Sequence, residues 1–128
     1  MILLDTRVFV WMVSDPERLS APARRAIEKS SDSLAVSAVC AWEVASLHRG
    51  GGLILPLAPH EFMRRALERH GVLEIPIAGV VAMEAVALTA SGVSPLQKIL
   101  LAEAMRQQCA IVSDSAEMAQ QEKVSVIW

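Results

Sequence analysis

Three acidic residues from distant parts of the chain stand where their chemistry could be combined: Asp5, Glu43 and Asp114. Asp5 closes the apolar run Ile2-Leu3-Leu4. Asp114 lies between Ser113 and Ser115, directly after the apolar run Cys109 to Val112. Glu43 is the only charged residue between Leu34 and Leu47. Carboxylates converging from separate segments suit a hard divalent cation such as Mg2+ or Mn2+, which takes oxygen ligands. Two of the three also have plainer roles. Asp5 can cap a helix beginning at Thr6, and Asp114 can serve as a turn or cap residue before a last helix. Glu43 fits such a role less well. Val39, Trp42, Val44, Ala45 and Leu47 surround it on a helix that reads as largely buried, where an unpartnered carboxylate is costly. It requires a metal, a basic partner or a proton.

Other chemistries lack the residues they need. Gly50-Gly51-Gly52 follows a helical stretch, without the strand-to-helix setting of a phosphate-binding loop. His48, His60 and His70 have no zinc-ligand spacing, and no serine stands in a Gly-x-Ser-x-Gly turn. His70 reads as a helix-end residue near the last carbonyls. Cys40 and Cys109 sit in apolar stretches without metal-type spacing, as buried free thiols of a reducing compartment do.

Short apolar runs alternate with helical patterns along the whole chain, which predicts a parallel sheet covered by helices. Strands are expected at Ile2–Leu4, Leu34–Ala38, Val72–Ile77, Cys109–Val112 and Val124–Ile127. Helices are expected at Thr6–Ser14, from Ser20 to about Lys29, at Val39–Arg49, Pro59–His70 and Gly79–Thr89, from Ser94-Pro95 through Gln107, and at Ala116–Glu122. The helix from Pro59 is the most plainly amphipathic: Phe62, Met63, Ala66 and Leu67 share one side, with Glu61, Arg64, Arg65, Glu68 and Arg69 opposite. Gly71 then suits a left-handed C-terminal position. In such sheets sites form beyond the carboxyl ends of the strands. Asp5 and Ser113-Asp114-Ser115 fall there, and Glu43 lies about one turn into the helix after the second strand.

With 128 residues and no repeat or linker, the chain reads as one soluble domain spanning 1–128. Hydrophobic residues make up 53%, yet there are only three Trp, two Phe and no Tyr, so the core is aliphatic. So apolar a small domain either leaves apolar surface for an oligomer or partner contact or has a well-filled core. The net charge of −2 provides no global attraction for nucleic acid. Local basic clusters at Arg24-Arg25, at Arg64-Arg65 with Arg69, and at His48-Arg49 are patches or solvated helix faces. No basic leader, signal peptide or bilayer-length apolar run is visible, and a cytoplasmic location is expected.

Several segments, in order, resemble the PIN domains of VapC-type toxins. Met1-Ile2-Leu3-Leu4-Asp5-Thr6 is similar to their opening, and Asp15-Pro16-Glu17-Arg18-Leu19-Ser20 to the stretch after their first helix. Val36-Ser37-Ala38-Val39 with Trp42-Glu43 resembles their second motif. Leu55-Pro56-Leu57, His70-Gly71-Val72 and Ile75-Pro76-Ile77 continue the likeness, and Val124-Ser125-Val126-Ile127-Trp128 resembles their closing strand. The ordered set covers essentially the whole chain. It implies a three-layer α/β/α sandwich with a mainly parallel central sheet, Mg2+- or Mn2+-dependent cleavage of RNA, a homodimer and an antitoxin-like partner. In active members four acids hold metal beside the scissile phosphate, where it stabilises charge and activates water.

Asp5 and Glu43 carry over to two of those positions, and Thr6 matches beside the first. Where the family has an Asp-Pro-Phe-Asp-Arg run, this chain has Ser94-Pro95-Leu96-Gln97-Lys98. Gln97 replaces the metal-associated acid with an amide that could orient a water or phosphate. Glu103, six residues on at about 100° per residue, points away from Gln97. The fourth acid, counted two residues from Ser113, falls on Ser115, with Asp114 one residue early. Arg7 stands where the family often has His and adds positive charge near the site. The resemblance thus implies a ribonuclease with a depleted acidic site, holding metal through Asp5, Glu43 and Asp114. The alternative is an inactive homologue that binds RNA or an antitoxin.

Overall fold

The computed structural model describes residues 1–128. Five strands, β1 (Ile2–Leu4), β2 (Leu34–Ser37), β3 (Leu73–Ile75), β4 (Ala110–Val112) and β5 (Val126–Ile127), form one sheet in the order β3-β2-β1-β4-β5. Every neighbouring pair is parallel, with Ile2 opposite Leu34 on one side and Ala110 on the other. Side chains alternate across a strand, and the core divides accordingly. Ile2, Leu4, Leu34, Val36 and Val112 join one apolar cluster, whereas Leu3, Ala35 and Ile111 join the other. Both faces of the central strands are therefore buried, which explains their unbroken apolar runs.

Helices α1 (Thr6–Ser14), α2 (Ala21–Lys29), α3 (Ala38–Arg49) and α4 (Pro59–His70) contribute to the first cluster. Helices α6 (Pro95–Gln107) and α7 (Ala116–Ala119) contribute to the second, and α5 (Gly79–Ala87) packs on α6 through Val81, Ala85 and Ala102. The result is the expected three-layer α/β/α sandwich. Side chains at the helix starts satisfy backbone N–H groups that have no partner within the helix. Asp5 accepts from Val8 N–H at 2.9 Å, Ser20 from Ala23, Ser37 from Val39 and Ser115 from Met118. Gly71 ends α4 at φ +62°, a conformation that favours glycine.

Several boundaries differ from expectation. The outer strands are shorter: β3 keeps only Leu73–Ile75 and is followed by Pro76, which has no N–H to donate to a ladder. Pairing of β5 is confined to Val126 and Ile127 because only Ile111 and Val112 lie opposite. Helix α7 stops at Ala119, and α5 at Ala87, where Leu88 turns extended. A short 3-10 turn, Pro16–Arg18, was not anticipated. The largest correction concerns α3, which is buried only along Val39, Cys40 and Val44, while Trp42, Ala45 and Leu47 face solvent.

Cys40 is buried, Cys109 only partly, and both are free thiols. Apolar surface does remain exposed, including Val80, Met83 and Val86 on α5. No helix is long and apolar enough to cross a membrane.

Candidate active site

Parallel pairing places the carboxyl ends of all five strands along one edge. Asp5 follows β1, the central strand, and its backbone N–H is held by Val112 O of β4 at 3.1 Å. Asp114 follows β4 by way of Ser113. These two acids are therefore neighbours because β1 and β4 are neighbours, although 109 positions separate them in sequence (114 − 5). Burial holds the Asp5 carboxyl above its usual range. The Ser113 hydroxyl and the Val8 N–H offset part of that rise, and the nearby Asp114 carboxylate adds to it.

Glu43 reaches the same region from the second turn of α3. Its Oε1 accepts a 2.6 Å hydrogen bond from the Thr6 hydroxyl. Thr6 is the first residue of α1, so this bond ties the helix after β1 to the helix after β2. The Thr6 hydroxyl is a partner for Glu43 that sequence reasoning did not consider, beside the metal, base or proton it left open. Asp5, Thr6, Ser37, Cys40, Glu43 and Leu100 line one narrow crevice. The Cys40 thiol in its wall is pushed up to about 12, first by burial and then by the nearby Glu43 and Asp5 carboxylates. It is no nucleophile at neutral pH.

Asp114 Oδ1 lies 3.0 Å from the Arg7 guanidinium, in an ion pair without good hydrogen-bond alignment. That buried oxygen keeps acceptor capacity. Ser115 is buried and occupied otherwise: its hydroxyl caps α7 and meets Glu117, while its N–H donates to the Ser113 hydroxyl at 3.1 Å. Asp114, rather than Ser115, thus stands beside Asp5.

Gln97 is not brought to the acids with its amide free. Its Oε1 accepts from Ser94 N–H at 3.0 Å while its own N–H donates to the Ser94 hydroxyl at 3.2 Å, a reciprocal cap at the start of α6. The very Ser94-x-x-Gln97 spacing that stands in place of the family's acids accounts for this cap. No three His, Cys, Asp or Glu groups gather closely enough to hold a metal by themselves. His48 lies apart, its Nδ1 3.3 Å from Leu53 O, and His70 has its pKa lowered by burial and by Arg69.

Sequence reasoning placed the charge of Arg7 near the site but not its partner: Arg7 bridges to Asp114. The adjoining cluster of Trp11, Trp128 and Arg18 was missed, its only sequence signal being a tryptophan in the first helix and another after the last strand. A concavity of about 470 Å³ lies elsewhere, between α5–α6 and Gln120–Val124, and holds no cluster of acids.

Residues 2–123 match the PIN domain family. The chain is 36% identical over 90 residues to Ribonuclease VapC22 of Mycobacterium tuberculosis, covering 70% of this chain and 67% of that protein. It also resembles the solved structure of VapBC2 from Rickettsia felis bound to a promoter DNA fragment. The TM-score is 0.72 at 11% identity, covering 98% of this chain and 97% of the other. A toxin–antitoxin complex from Klebsiella pneumoniae gives a TM-score of 0.69 at 20% identity, covering 97% and 95% of the two chains. At such identities these structures speak for the fold, and the family match and the VapC relative speak for descent. This chain belongs to the PIN-domain family, in its VapC-type branch.

Proposed function

We propose that the chain is a VapC-type endoribonuclease of the toxin class with a weakened metal site. One observation supports this reading: the partly buried Asp5 carboxyl, disfavoured as an anion by burial, lies within electrostatic reach of Asp114 at the carboxyl edge of the sheet of a PIN-family chain. Two adjacent carboxylates, one with a spare buried oxygen, suit a divalent cation. They fit Mg2+ or Mn2+ in the limited way in which Mg2+ commonly binds, through one or two carboxylates with water and substrate phosphate completing the shell. Asp5 and Asp114 would hold it, with Glu43 behind them. A bound cation would stabilise charge on phosphate oxygens and lower the pKa of a water.

The chain's own residues do the rest. The Thr6 hydroxyl orients the Glu43 carboxylate, which would serve as the acceptor for a proton from an attacking water. Arg7 supplies the positive charge that draws a phosphate toward Asp114. Gln97 would orient a water or phosphate only by releasing the Ser94 N–H.

A second reading, an inactive homologue that binds RNA or an antitoxin-like protein, rests on Gln97 and Ser115 standing where the family resemblance calls for acids. RNA cleavage in Mn2+ separates the two, with Asp5→Asn as the control. Asparagine caps a helix as well as aspartate does, so the variant should stay folded. Cleavage by the unaltered chain that Asp5→Asn abolishes supports the enzyme. Equal cleavage by both proteins indicates a contaminant, and no cleavage by either favours the binding module. We further propose a cytoplasmic protein with an antitoxin-like partner, and a homodimer for which the exposed Val80, Met83 and Val86 offer an apolar surface. The chain is read as one domain over 1–128.

A further inference from the structure

Next to the acids, the same edge carries two indoles and two guanidinium groups. β5 is parallel to β4 and beside it, so its carboxyl end delivers Trp128 to the edge where Asp114 follows β4. Trp11 of α1 packs against Trp128 with ring centroids 5.7 Å apart and planes inclined by 46°. The guanidinium carbons of Arg7 and Arg18 lie 6.0 and 5.8 Å from the centre of the Trp11 ring. Arg7 also reaches Asp114 at 3.0 Å, so a single side chain joins this cluster to the acidic edge.

The exposure of the cluster argues for a ligand. Trp128 remains 41% exposed, and the Arg18 side chain 63% exposed despite its 3.4 Å pair with Asp15. The open face of an indole can receive a second planar ring. A cation held over an aromatic ring keeps its N–H groups directed outward, available to an anion. A planar apolar surface next to two forked cations matches one chemical pattern well: an unstacked base flanked by phosphates. Bases within a duplex are already stacked on one another, so only a single strand can present that pattern. An acidic peptide would use the arginines and leave the indole face idle.

We propose that Trp128 and the pair Arg7–Arg18 form a subsite for single-stranded RNA beside the cleavage site. This inference rests on the ribonuclease reading for the choice of RNA. A base lies on the open side of Trp128, and Arg7 and Arg18, braced on Trp11, contact the phosphates of the same strand. Arg7 brings one of those phosphates to Asp114, which places the neighbouring linkage at the acidic edge.

The test separates base from phosphate contact. In a Trp42→Phe background, Trp11 and Trp128 are the only indoles. Their fluorescence is followed as the chelator-treated full chain is titrated with an oligouridylate of roughly ten nucleotides. Trp128→Ala is expected to weaken binding by between about 5-fold and about 150-fold, the range for loss of one base–aromatic stack. It should leave the salt dependence unchanged, and Trp128→Phe should recover part of the loss. Arg18→Ala is expected to lower the slope of log affinity against log salt by about 0.7, as for one phosphate contact on a single strand. A merely structural role for either residue would not divide affinity from salt slope in this way.

The proposal is overturned if the unaltered chain binds no oligonucleotide, or if Trp128→Ala leaves affinity unchanged. Equally tight binding of an oligoglutamate of the same charge also overturns it, and points to a protein partner. A chain that cleaves RNA while ignoring both substitutions refutes the subsite and leaves the ribonuclease reading intact. One that binds through Trp128 but cleaves nothing refutes the ribonuclease reading and leaves the subsite.

Discussion

Replacing Glu103 should make this protein more stable. Glu103 lies on the inner side of α6, is only 2% exposed, and receives no well-aligned hydrogen bond on either carboxylate oxygen, the Ser37 hydroxyl being its one polar neighbour. Burial pushes its pKa above the ordinary value of 4.5, and the Ser37 hydroxyl offsets only part of that rise. A buried polar group left unsatisfied costs about 1–3 kcal/mol, and more once it is charged. Leucine has a similar volume and no such requirement. At neutral pH Glu103→Leu is therefore expected to add about 1–3 kcal/mol, which for a chain of this size raises Tm by roughly 4–12 °C.

The pH dependence has a definite sign. Because the folded-state pKa is raised, the folded chain binds this proton more tightly than the unfolded chain does. The stabilisation is complete below 4.5 and is lost as pH rises through the folded value. Glu103→Gln cannot ionise, so the difference between its stability and that of the unaltered chain should widen with pH across that window. Melts of all three proteins from about pH 4 to about pH 8 measure this. A Leu variant less stable than the unaltered chain at neutral pH would refute the reasoning, because the carboxylate would then be contributing a favourable pairing.

Other outcomes follow from the site. Thr6→Val removes the 2.6 Å bond to Glu43 and should lower Tm by no more than about 6 °C, while Mn2+-dependent cleavage falls further. Melting and cleavage measured on one preparation compare the two losses. Gln97→Asp shortens the side chain that reaches back to Ser94 N–H, costing about 0.5–1 kcal/mol of metal-free stability. The added charge should nonetheless raise Mn2+ affinity in calorimetric titration. Cys40, with its thiol pushed up to about 12, should resist alkylation at neutral pH until the chain is unfolded by denaturant, as mass spectrometry of labelled chains would register.

The layered fold was legible because local rules and burial agreed. Ile2-Leu3-Leu4 and Leu34-Ala35-Val36 are apolar at every position because helices cover both faces of the sheet. Ser20, Ser94 and Gly71 mark helix ends through bonds and dihedral angles that span only a few residues. Order and spacing of motifs also sufficed to recognise the family and to nominate Asp5 and Glu43.

What only the tertiary structure decided depends on which distant segments become neighbours. Sequence spacing left Asp114 and Ser115 as alternatives. The adjacency of β1 and β4 brings Asp114 near enough to raise the Asp5 pKa, while the Ser115 hydroxyl is used to cap α7. The apolar sequence around Glu43 suggested a largely buried helix. Packing of α3 leaves Trp42 in solvent, and Glu43 accepts from the Thr6 hydroxyl, a partner 37 positions away. Gln97 read as an amide that could orient a water or phosphate; its oxygen is engaged in the local cap, because a bond within one helix turn costs less chain entropy than one across the molecule. The Trp11–Trp128 contact joins positions near opposite ends of the chain. Neither residue's type nor its neighbours in sequence could have announced it; the parallel course of β5 beside β4 brings them together.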